Sequence, residues 1–171
     1  MTAEPLVGIV VASDSDWEVM SAAAARLEAF GVPYEVILTS AHRSPERTTA
    51  YASSARERGV RVLIAGAGLA AHLAGVVAAH TTLPVIGVPL EAGGLHGLDA
   101  LLATVQMPPG VPVATVAIGK AGAENAAVLA AQILGLSDEK LAKRVTEFKQ
   151  QLARTVEEKD ARFQQQRQRR S

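Results

Sequence analysis

The chain has 171 residues, 49% of them apolar and 20% charged, with a mean hydropathy of +0.17. That is long enough for one domain burying about 70% of its unfolded surface, and too apolar for a disordered segment. Cysteine is absent, which excludes a disulfide framework, a thiolate nucleophile and a Cys-ligated metal.

The net charge is zero but unevenly placed. Residues 1–137 hold 7 Lys/Arg against 11 Asp/Glu, and residues 138–171 hold 10 against 6. The basic tail ends in Gln165-Gln166-Arg167-Gln168-Arg169-Arg170, and only Phe148 and Phe163 in that region could stack on bases. It therefore reads as a solvated helix end, and no nucleic-acid partner is expected. No apolar run reaches the roughly 18 residues of a membrane span, and Met1-Thr2-Ala3-Glu4-Pro5 lacks a basic leader. No membrane partner and a cytoplasmic location are the expectation.

Leu6 to Val11 is a short continuous apolar run, the pattern of a strand buried on both faces. It ends at Ser13-Asp14-Ser15-Asp16, ahead of a helix reaching Phe30 and closed by Gly31. Tyr34–Leu38 is the second strand, and Ser44-Pro45-Glu46 starts a helix ending at Gly59. Val60–Ala65 is the third, followed by a Gly-rich turn and a helix from Ala70 to His80. Leu83–Val88 and Val113–Ala117 are the fourth and fifth strands, with a short helix over Leu98–Val105 between them. Ala121–Leu134 is helix-prone, and Ser137-Asp138-Glu139 opens a last helix with Leu141, Val145, Phe148, Leu152 and Val156 on one face. The pattern predicts an α/β fold: a three-layer, doubly wound parallel sheet over residues 1–136. A helical tail over 137–171 is expected to pack on the same domain. The helices over 70–80 and 121–134 are apolar all round, so they are expected to pack between subunits of a homo-oligomer.

In such sheets the ligand sits beyond the carboxyl ends of the strands. After the first strand, four polar residues at a helix start, Ser13 to Asp16, exceed what capping needs and suit a phosphate. Asp14 and Asp16 could alternatively hold a metal. After the second strand, His42 beside Arg43 offers a proton carrier near neutrality and a fork for an anion. After the third, Gly66-Ala67-Gly68-Leu69-Ala70-Ala71 fits a dinucleotide fingerprint, with Glu91 further on, but it follows the wrong strand. A loop bringing backbone close to a ligand is the safer statement. A phospho-receiver reading fails, because Ala65-Gly66 stands where the acceptor Asp is needed.

Together, Ser13-Asp14-Ser15-Asp16-Trp17, Ser40-Ala41-His42-Arg43, Ala65-Gly66-Ala67-Gly68, Ala70-Ala71-His72-Leu73, Thr82–Pro89, Gln106-Met107-Pro108 and Ala117–Gly122 resemble the class I N5-carboxyaminoimidazole ribonucleotide mutases of purine biosynthesis. The likeness runs from about Val7 to Leu134, in order. It implies a flavodoxin-like isomerase without cofactor or metal that moves a carboxylate from an exocyclic nitrogen to a ring carbon. It further implies a homo-octamer whose sites lie where subunits meet. Carried over by position, His42 is the general acid/base. Ser13, Asp16 and Arg43 bind the nucleotide, with Ser15 and Ser40 in the same loops, and Gly68 and His72 line the carboxylate pocket. Ala12, Leu69, Ala74 and the loop Glu91–His96 depart from the usual pattern. Ala-Ala-His-Leu at 70–73 favours class I over the class II carboxylase, which uses free carbon dioxide. That carboxylase and a nucleotide-binding homologue without turnover are the alternatives.

Overall fold

The computed structural model describes residues 4–168. Five strands, β1 (Val7–Val11), β2 (Tyr34–Leu38), β3 (Val62–Gly68), β4 (Val85–Leu90) and β5 (Ala114–Thr115), form one sheet in the order β2-β1-β3-β4-β5. Every pairing is parallel. The expected doubly wound, flavodoxin-like architecture is therefore present.

Side chains alternate across the sheet as a strand's period of two requires. Val7, Ile9 and Val11 of β1, with Val62 and Ile64 of β3, enter one core. Val10, Leu63 and Ala65 enter the other. The first core is covered by α1 (Trp17–Ala29), α5 (Lys120–Gly135) and the start of α6 (Glu139–Gln168). The second is covered by α2 (Pro45–Ser54), α3 (Leu73–Ala79) and α4 (Leu98–Val105).

Four boundaries differ from expectation. The third helix begins at Leu73, three residues late, after a Leu69 whose φ of 53° is left-handed. The chain crosses 69–72 in tight turns, with the Ala71 and His72 amides donating to the Leu69 and Ala70 carbonyls. β4 runs on through Pro89 to Leu90; β5 pairs only with Ile86 and Gly87, so a residue without an N–H is tolerated beyond them. The fifth strand keeps only Ala114 and Thr115, at the sheet edge. The second helix ends at Ser54 and tightens into a 3-10 turn over Ala55–Arg58 before the left-handed Gly59.

α6 is capped by Asp138, whose carboxylate accepts from the Lys140 and Leu141 amides at 2.9 and 3.0 Å. Leu141 and Val145 are buried, and Phe148 meets Phe30 edge-on at 5.4 Å. Leu152, Val156 and Phe163, further along the helix, are exposed. Arg169 and Arg170 of the basic tail lie outside the described residues. Helices α3 and α5, expected to pack between subunits, bury Leu73, Val77, Ala123, Ala127 and Ala131 within the chain itself. A further exposed apolar stripe lies on Leu95, Leu98, Leu102 and Val105 in and before α4. No helix among the described residues is long and apolar enough to cross a membrane.

Candidate active site

β2 and β3 flank β1, and the register brings the carboxyl ends of all three to one edge of the sheet. Val11 pairs with Leu38 on one side and Gly66 on the other, so the loops after β1, β2 and β3 rise from the same edge. The chain leaves β1 toward one face and leaves β2 and β3 toward the opposite one. That divergence opens a crevice at the point where strand order reverses. A cleft of about 440 Å³ lies there.

Ser13, Ser15 and Asp16 line it from the β1 loop, and Ser40, His42 and Arg43 from the β2 loop. Ala67, Gly68, Leu69, Ala70 and Leu73 line it from the β3 loop. Every sequence-predicted site residue except His72 is therefore on its wall. His72 joins through His42: His42 Nε2 and His72 Nδ1 are 2.9 Å apart, with the rings edge-to-face at 5.0 Å.

The loop after β1 is tied to itself. The Ser13 and Ser15 hydroxyls are 2.9 Å apart, and Asp14 accepts from the Ser13 hydroxyl and the Ser15 amide at 3.1 and 3.0 Å. Those hydrogen bonds hold the Asp14 carboxyl below its ordinary value. Asp16 is the N-cap of α1 but makes no side-chain cap bond. Burial raises its carboxyl, while backbone hydrogen bonds at Ser13 and Ala12 work the other way. Among the described residues no three His, Asp or Glu side chains converge as a metal site would need.

The loop after β2 is built on a hydroxyl network that the sequence reading did not single out. Ser44 precedes α2, yet its hydroxyl turns back to accept from the Ser40 amide at 3.0 Å instead of capping the helix. Thr39 bridges to Ser44 and to Thr48 at 3.2 and 2.9 Å, and both threonines are buried. Four hydroxyl residues within ten positions was the available signal. With these contacts made, Ser40 Oγ accepts from the Arg43 amide at 3.1 Å, and the turn carrying His42 is fixed.

At Gly68 a side chain would stand 3.1 Å from Ala92 Cβ and 3.3 Å from the Leu90 carbonyl. Glycine there lets the β3 loop lie against the segment after β4, which adds Ala92 to the cleft wall. Ala92 had not been foreseen. His96, in that same segment, points away into an exposed pair with Glu91 at 2.8 Å. The cleft thus has hydroxyls, a carboxylate and a guanidinium on one side, small apolar surfaces on another, and one ring able to exchange a proton.

The AIR carboxylase family model matches residues 6–155. The N5-carboxyaminoimidazole ribonucleotide mutase of Bacillus subtilis is 57% identical over 90% of this chain and 94% of its own. That of Mycobacterium tuberculosis is 56% identical over 94% and 91%. The crystal structure of Treponema denticola PurE aligns at TM-score 0.83 with 29% identity, covering 92% of this chain and 98% of that one.

Proposed function

The chain belongs to the AIR carboxylase family, and from that premise we propose that it acts as a mutase. It moves the carboxylate of N5-carboxyaminoimidazole ribonucleotide from the exocyclic nitrogen to the ring carbon, in purine biosynthesis. Relatives that bear this name are more than half identical over about nine-tenths of the chain.

The reaction conserves its atoms: one carboxylate and one proton exchange places. Ser13, Ser15, Asp16 and Arg43 hold the ribonucleotide, the hydroxyls and guanidinium meeting its anionic end. Ser40 fixes the turn that aims His42. As the N-bound carboxylate leaves as carbon dioxide, His42 gives a proton to the exocyclic nitrogen. Carbon dioxide stays against Ala67, Gly68, Ala70 and Leu73, surfaces that offer it no water to react with. The ring carbon then attacks it, and His42 removes the proton from that carbon.

The single observation that carries this assignment is the composition of the cleft wall, an anion-binding side and an apolar side with His42 on the same surface. The test is turnover of the N-carboxylated substrate against unmodified aminoimidazole ribonucleotide with bicarbonate. Conversion of the first alone supports the mutase. Conversion of the second alone makes the protein a carboxylase, and binding without either conversion makes it a nucleotide-binding homologue.

The assembly is a homo-octamer, and the stripe Leu95, Leu98, Leu102 and Val105 is one of its contact faces. These residues are 48–61% exposed beside the loop that supplies Ala92, so a neighbouring subunit there would abut the cleft. Residues 1–136 carry the chemistry, and the enzyme works in the cytoplasm beside the other steps that handle this charged intermediate.

A further inference from the structure

We propose that His72 is a positioning residue that fixes which nitrogen of His42 carries the working proton. The assignment rests on the mutase reading above and concerns the contact between His42 Nε2 and His72 Nδ1, 2.9 Å long. A histidine that delivers one proton and recovers another passes through its cation, in which both ring nitrogens donate. At that moment His72 Nδ1 can only accept. Were His72 the donor, His42 Nε2 would have to remain a bare acceptor, and the contact would break each time His42 gained its second proton. The bond survives the whole cycle in one arrangement only: His42 keeps a proton on Nε2, bonded to His72 Nδ1, and exchanges the other at Nδ1. His42 Nδ1–H then passes its proton to the exocyclic nitrogen as the nitrogen–carbon bond breaks. Nδ1 regains a proton from the ring carbon after the new carbon–carbon bond has formed.

The edge-to-face contact, at 5.0 Å and 83°, adds an orientation constraint on the same ring. The two histidines belong to different loops, His42 ahead of α2 and His72 at the N-cap of α3. The bond therefore also sets the distance between the walls that those loops form. The charged groups on the remaining wall are Asp16 and Arg43, which points to the Ala12 carbonyl, and Asp14 lies next to them in the β1 loop. None of them bonds to either ring, so His72 is the partner that selects the tautomer.

Two variants separate the bond from the packing. His72→Phe keeps a ring and removes the acceptor; His72→Asn loses the ring but can place an oxygen where Nδ1 stood. His72→Phe should lower kcat about 10–100-fold with KM changed by less than about threefold, as loss of an orienting partner does for histidine ligands. His72→Asn should recover most of that loss. Nitrogen-15 spectra of the intact, histidine-labelled enzyme should show neutral His42 protonated at Nε2 in the parent and in His72→Asn, and a tautomer mixture in His72→Phe. The proposal is overturned if His72→Phe turns over at the parental rate, if His72→Asn is as impaired as His72→Phe, or if His42 carries its proton on Nδ1 in the parent. The spectra need no turnover, so failure of the mutase reading would appear separately, as an inactive parent with the tautomer unchanged.

Discussion

The guanidinium of Arg43 donates to the carbonyl oxygen of Ala12 at 3.2 Å, clasping the loop after β2 to the loop after β1. The same side chain lines the cleft, so its fork is shared between scaffold and ligand. Arg43→Lys keeps the charge and loses the fork. Product affinity measured by calorimetry should fall by roughly 1.5–3 kcal/mol, the range for hydrogen bonds to charged groups. An unchanged dissociation constant would remove Arg43 from the site.

His42→Asn retains hydrogen-bonding capacity but cannot carry a proton near neutrality. Turnover should drop about 10²–10⁴-fold while product affinity stays close to that of the parent. Replacement of the ring-carbon hydrogen by deuterium in heavy water, followed by proton spectra of the substrate pool, should be lost with it. A variant within a few-fold of the parent would reassign the proton carrier.

Asp16 supplies a pH dependence with a definite sign. Burial raises its carboxyl, so it takes up a proton at a higher pH than an ordinary carboxylate and loses its acceptor role there. Nucleotide affinity should therefore begin to fall on acidification earlier than an unshifted group would allow. Asp16→Asn should show only the ligand's own phosphate titration. In stability the sign is opposite: the fold favours the protonated form. That contribution is full below about pH 3.8 and is lost as pH rises through the shifted value. Asp16→Asn should thus match or exceed the parent's denaturation midpoint at pH 7, and a lower midpoint would contradict the sign.

The stripe before and along α4 predicts that assembly and activity fall together. Leu102→Glu places a charge at a position 49% exposed in the subunit, where the isolated fold tolerates it and a buried contact would not. Light scattering should give the parent a mass several times 17.8 kDa and the variant a mass near that of one chain, with turnover lost. A parent that is active as a monomer would sink the octamer.

The sheet was legible because each inner strand is an apolar run that must be buried on both faces, and the strand ends then located the cleft. Ser13, Asp16, His42 and Arg43 are close in sequence to those ends, so reading the ends found them. Ala92 was missed because its contribution depends on how closely Gly68 lets two loops approach, a tertiary distance with no local signature. The start of α3 was misplaced because propensity favours helix over Ala70-Ala71, whereas the Ala71 and His72 amides are taken by carbonyls two residues back. The contact faces were sought on α3 and α5 because composition counts apolar residues without saying which neighbour covers them. α1 and the sheet cover much of α5 from within, and Leu98 and Leu102 of α4 are exposed together with the preceding Leu95.

Because the three loops stand level only once Val11 meets both Leu38 and Gly66, the reaction centre exists only where the sheet is paired. Parallel pairing between residues so far apart in sequence closes slowly. α5 and α6, by contrast, gain their backbone hydrogen bonds locally. A partly denatured chain can keep much of its helical circular dichroism after the β1–β3 ladder has opened, but it cannot keep a cleft. Catalysis should therefore disappear at lower denaturant than ellipticity does, which makes turnover the more sensitive gauge of an intact sheet.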